Sequence, residues 1–91
     1  MVLILSLASI SAMKLSDLPR YASGTVSAVE AISVGDPIAR RLAELGFVLG
    51  ETVRLVALGP MGGDPILVQV GFTRFALRRS EADRVKLEVE G

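Results

Sequence analysis

Residues Asp36–Val53, DPIARRLAELGFVLGETV, hold a complete short helix and the start of a strand. Asp36 is an N-cap residue whose carboxylate can accept from the first free backbone N–H groups. Pro37 takes the first helical position, where a missing N–H costs nothing. Ile38, Leu42 and Leu45 recur at i, i+4 and i+7 and make one apolar stripe. Arg40 and Glu44 fall on the polar side. Gly46 follows directly and suits the left-handed position beyond a helix C-terminus. The spacing predicts a helix over Pro37–Leu45, about two and a half turns at 3.6 residues each. So short a helix is marginal alone and must pack on something. Phe47-Val48-Leu49-Gly50 is then a connector with one bulky anchor.

On both sides of this helix the pattern changes to period two. Upstream, Gly24 opens Thr25–Ile32, a β-branched run that Ser33-Val34-Gly35 ends. Downstream, Glu51–Leu58 places Val53, Leu55 and Ala57 on one face and Thr52, Arg54 and Val56 on the other. Gly59–Pro65 is a turn-rich loop. Ile66–Val70 returns as the second strand of a hairpin, and Gly71 marks a tight turn or bulge. Thr73–Leu77 follows, with Phe75 and Leu77 on one face. Arg79–Asp83 fits a single helical turn, with Ser80 as its expected N-cap. Val85, Leu87 and Val89 alternate with Lys86 and Glu88 in a closing strand. The order is strand, short helix, then four short strands. Five strands around one thin core favour a small closed or nearly closed barrel, since closure removes exposed edges.

Totals agree with one small domain. The chain has 91 residues, 51% hydrophobic, with nine glycines and 4% aromatics. A chain of this size buries only about 60–65% of its unfolded surface. Ten basic residues balance ten acidic ones, which argues against a phosphate-binding surface, because such domains carry a basic excess.

Cysteine and histidine are both absent. No disulfide forms, and nothing points to an oxidising compartment. Cys/His metal sites, Cys–His and Ser–His–Asp catalysis, and any His general base are excluded. The remaining hard ligands are Asp17, Asp36, Asp64, Asp83 and six glutamates, without EF-hand spacing or a paired cluster. The loop Gly59–Pro65 lacks the Gly-Lys-Ser/Thr ending of a phosphate cradle, and Asp64 would repel a phosphate. Only Tyr21, Phe47, Phe72 and Phe75 are aromatic, too few for a polyproline groove once the core has taken its share. No cofactor and no enzymatic activity are expected.

Residues 1–12, MVLILSLASISA, stand apart as an N-terminal extension to a domain over 13–91. The run Val2–Leu7 is far short of the roughly 20 residues that span a bilayer. No basic residue precedes it, as a secretory signal requires. The readings left open are a start-site artefact, with Met13-Lys14-Leu15 as the natural beginning, a short added strand, or a disordered tail.

In this order, Arg40-Arg41-Leu42-Ala43-Glu44-Leu45-Gly46-Phe47, Gly50 and Val53 resemble the FeoA family, ferrous iron transport protein A. Leu15-Ser16-Asp17-Leu18, Gly63-Asp64-Pro65, Ala76-Leu77-Arg78 and Glu81-Ala82 agree with it. The resemblance covers Met13 to about Val89. It implies a mainly β fold: an SH3-like barrel of about five strands, one short helix after the first strand and a helical turn before the last. It further implies a cytoplasmic accessory role in bacterial ferrous iron uptake. The implied partner is a FeoB-type membrane transporter with a cytoplasmic GTPase domain, which would hold the chain peripherally at the inner membrane. Weak self-association stays open.

Candidate partner-contacting residues are Arg40 and Arg41, paired cations on a helix face suited to an acidic partner, Phe47 of the connector, and Met61 and Asp64 of the loop. Met61 is flexible and apolar, a good contact residue. The alternative function is a regulatory or nucleic-acid-binding barrel, motivated by Arg74, Arg78, Arg79 and Arg84, which stand close in sequence.

Overall fold

A computed structural model describes residues 10–90. The expectations for residues 1–9 lie outside these. Six strands run β1 (Ile10–Lys14), β2 (Ser23–Val29), β3 (Thr52–Leu58), β4 (Ile66–Val70), β5 (Thr73–Leu77) and β6 (Val85–Glu90). Helix α1 spans Pro37–Leu45, α2 spans Arg79–Ala82, and a 3₁₀ turn covers Leu15–Asp17. The strands form one sheet in the order β1-β6-β2-β3-β4-β5, with every pairing antiparallel.

The five strands expected from alternation are β2 to β6; a sixth, β1, ISAMK, begins in the N-terminal extension, where a short added strand is among the open readings, and pairs Ile10 with Glu90 and Lys14 with Lys86. Its Ser, Ala and Lys are weak strand formers, and its first three residues are exposed. Pairing with β6 across the whole domain makes it a strand.

The sheet rolls into a barrel. Laid flat, six strands spaced about 4.8 Å would hold β5 some 20 Å from β6. Yet Leu77 of β5, Val85 and Leu87 of β6, Val26, Val53 and Leu15 belong to one buried cluster. Register shifts at Val26/Ala28 and Leu55/Ala57 mark the bulges that bend the strands. The second bulge also ends the alternation expected through Ala57: Val53 and Leu55 are buried, but Val56 and Ala57 are both half-buried. The two outer strands, β1 and β5, do not pair with each other, so the barrel is nearly closed.

Two arginines tie loops across this frame. Arg79 donates from Nη2 to the Ser16 carbonyl at 2.6 Å and from Nη1 to the Gly63 carbonyl at 3.0 Å. It thereby joins the turn after β1 to the β3–β4 loop. Arg84 donates from Nε to Asp36 Oδ2 at 2.7 Å, with side chains only 7% and 3% exposed. Asp36 Oδ1 also accepts the Ile38 N–H at 3.0 Å, and Oδ2 the Ile32 N–H at 3.1 Å. One carboxylate therefore caps α1 and pins its start to the head of β6. The Arg84 guanidinium, with the backbone N–H donors, holds the Asp36 carboxyl down from 3.8 to about 2, against the opposing effect of burial.

Helix α1 has the bounds that Asp36, Pro37 and Gly46 set, and Gly46 takes φ +116°. The turn before β6 differs from expectation at its start. Arg78, not Ser80, is its N-cap, and the Arg78 N–H donates to Glu81 Oε1 at 2.9 Å, half of a capping box.

Candidate functional site

Of the α1 stripe, only Leu42 is fully in the core; Ile38 and Leu45 are half-buried and pack at its margin. What they leave uncovered is a groove of about 710 Å³ between α1 and β5. Ile38, Leu45, Met61 and Phe75 supply its apolar lining. Arg41, Arg78, Asp64 and Glu81 supply its charges. The volume falls within the range of binding clefts, about 300–1,000 Å³.

Of the five candidate contact residues, Arg41, Met61 and Asp64 line this one groove. They come from α1 and the β3–β4 loop. Met61 is 79% exposed at the loop tip. Asp64 is half-buried, and its Oδ1 accepts the Arg79 N–H at 3.0 Å. Arg40 is exposed on α1 but does not line the groove. Phe47 is wholly buried and offers a partner no surface. Its ring instead backs Phe75, with centroids 5.8 Å apart and planes tilted by 50°. The helical stripe and the strand alternation put Ile38, Leu45 and Phe75 on apolar faces, and neither Arg78 nor Glu81 stands among the candidate contacts. Incomplete burial of alternate stripe members follows from where α1 sits, which periodicity does not encode.

The basic strip behind the alternative reading is not assembled. Arg84 is buried against Asp36, and Arg79 is spent on backbone carbonyls. Arg74 and Arg78 alone of the four are exposed. A separate surface feature is Tyr21, 58% exposed with φ +69°, its ring 4.9 Å from the Arg20 guanidinium carbon. Among the described residues, no group of three carboxylates is placed to hold a metal ion, and no helix is long and apolar enough to cross a membrane.

A small rolled sheet with a groove beside one helix, lined by apolar side chains and rimmed with charge, defines a small SH3-like barrel. Residues 13–89 match the profile of the FeoA domain. The chain belongs to the FeoA family, a family of small accessory proteins implicated in ferrous iron transport. Among solved structures it is similar to a FeoA from Stenotrophomonas maltophilia at 63% identity and a TM-score of 0.78, covering 82% of this chain and 88% of that one. That protein was solved complexed with zinc and is described as a procaryotic SH3 domain protein and a candidate ferrous iron transport activating factor. It is also similar to FeoA from Chlorobium tepidum, at 32% identity and TM-score 0.72, over 85% of this chain and 70% of that one. A manganese-dependent transcriptional repressor shares the fold, with a TM-score of 0.71 at 24% identity over 91% of this chain and 44% of that one. No match to this chain is found among curated proteins.

Proposed function

We propose that this chain is a cytoplasmic, non-enzymatic accessory protein of bacterial ferrous iron uptake. It docks through the α1–β5 groove on the cytoplasmic GTPase domain of a FeoB-type transporter, which keeps it at the inner membrane. The observation that carries this reading is the convergence of Arg41, Met61 and Asp64 with Phe75 on one groove. Family membership supplies the process. An exposed methionine on an apolar lining supplies adaptable contact area, and rim charges supply orientation and encounter rate.

The test is calorimetric titration of the transporter's cytoplasmic domain into the wild-type chain and into Met61→Asp. Met61 is too exposed to matter for folding, so the variant isolates the surface. Wild type should bind, and the variant should bind at least about tenfold more weakly, the ratio that 1.4 kcal/mol gives. Equal affinity for both chains, or no binding at near-millimolar concentration, overturns the proposal.

A further inference from the structure

One wall of the groove is the free edge of β5. Gly71 and Phe72 form a two-residue turn, since Val70 pairs with Thr73. The closing pair of such a hairpin exchanges both of its hydrogen bonds. By alternation, Phe75 opposite Val68 and Leu77 opposite Ile66 also bond to β4. Arg74 and Ala76 therefore direct their N–H and C=O groups the other way, where β5 has no neighbouring strand. Ladder positions that point outward are a template for another strand. Beyond Leu77 the template stops, because the Arg78 N–H is already bonded to Glu81.

The charges beside this edge are unequal in availability. Asp64 Oδ1 and Glu81 Oε1 both accept backbone N–H groups of the chain itself. Among the described residues, the guanidinium groups of Arg41 and Arg78 join none of the ion pairs. Both line the groove and both are exposed. The free valence of the groove is thus two outward ladder residues, an apolar floor at Phe75, Ile38 and Leu45, and two unpaired cations.

We propose that the groove takes an extended, apolar segment of a partner protein flanked by acidic side chains, which adds as a strand to the outer edge of β5. The ladder bonds run to Arg74 and Ala76. Alternate apolar side chains enter between β5 and α1, and the flanking carboxylates meet Arg41 and Arg78. This rests on the docking role of the groove and adds to it the conformation and charge of what docks. Backbone pairing supplies affinity in this mode and side-chain pockets supply selectivity.

The probe is the blocked pentapeptide Ac-Glu-Val-Leu-Val-Glu-NH2, titrated into the ¹⁵N-labelled full chain and followed by amide shifts. Its counterpart carries Lys in place of both Glu residues. The acidic peptide should move the Arg74 and Ala76 amides downfield and saturate near about 1 mM, with the lysine peptide at least about tenfold weaker. Ala76→Pro removes an N–H that does not serve β4, as prolines on edge strands do, and should abolish the shifts while the Val68 and Phe75 amides keep their positions. If that variant does not fold, the double variant Arg41→Glu/Arg78→Glu serves, and it should reverse the preference toward the lysine peptide. Shifts centred away from β5, equal response to both peptides, or no saturation by about 5 mM overturns the proposal. The strand mode fails alone if the transporter domain binds wild type and Ala76→Pro equally while Met61→Asp still weakens it; the docking role fails if Met61→Asp has no effect.

Discussion

Phe47 and Phe72 offer a matched pair of perturbations in one small domain. Phe47 is wholly buried, and Phe72 stands fully in solvent at the tip of the β4–β5 turn. Removing the Phe47 ring loses its transfer from water, about 1.5–3 kcal/mol. It also loses the contact with Phe75 at 5.8 Å, of a kind that contributes about 0.5–1.5 kcal/mol. A residual cavity adds to both, so Phe47→Ala should cost about 3–5 kcal/mol. A domain of 91 residues has a total stability of about 5–14 kcal/mol at the usual 0.05–0.15 per residue. The variant thus loses about a fifth of it or more. In urea denaturation followed by circular dichroism, with a slope near about 1.5 kcal/mol/M, the midpoint should fall by roughly 2–3 M. Phe72→Ala should stay within about 0.5 kcal/mol of wild type. A loss below about 1 kcal/mol for Phe47→Ala, or equal losses for the two, would refute the assignment of Phe47 as the anchor beneath the groove.

The remaining expectations follow from single contacts. Asp36 has its carboxyl lowered to about 2 in the fold, so the stabilisation is present above the ordinary carboxylate range near about 4 and is lost as pH falls through 2; thermal melts from pH 5 to pH 2 should show this decline, and Asp36→Asn should melt lower at pH 5 and flatten it. Gly46 sits at φ +116° with open space apart from Val70 Cγ1 at 3.8 Å, so Gly46→Ala should cost about 1–2 kcal/mol by backbone strain alone, with Gly46→Asn costing less in the same denaturation assay. Binding of the transporter domain should weaken with added salt in proportion to its use of Arg41 and Arg78, and Arg41→Glu should lower the association rate measured by surface plasmon resonance more than Arg40→Glu does.

Helix α1 was readable to the residue because its three boundary signals are local. The Asp36 side chain, the Pro37 ring and the Gly46 backbone each act within one turn, and no distant contact overrules them. Strand faces were readable for the same reason where alternation is unbroken, as in Val85–Val89. Legibility failed where a residue's role depends on something far along the chain. β1 exists through pairing with β6. Arg84 reaches an aspartate 48 positions away, and Arg79 a carbonyl 63 positions away; both looked like surface cations in a strip. The lining of the candidate groove was half legible. Paired arginines on a helix and the loop's chemistry pointed to Arg41, Met61 and Asp64, while the seating of α1 beside β5, which leaves Phe75 half-buried on a groove and Phe47 wholly buried, is a tertiary fact.

On the proposed function, one groove between α1 and β5 meets the partner. Amide-shift mapping of the ¹⁵N-labelled chain against the transporter's cytoplasmic GTPase domain addresses it directly. The largest perturbations are expected at Arg41, Leu45, Met61, Ala76 and Arg78. Perturbations centred instead on Arg20, Tyr21 and Arg54, with α1 and β5 unmoved, would contradict it.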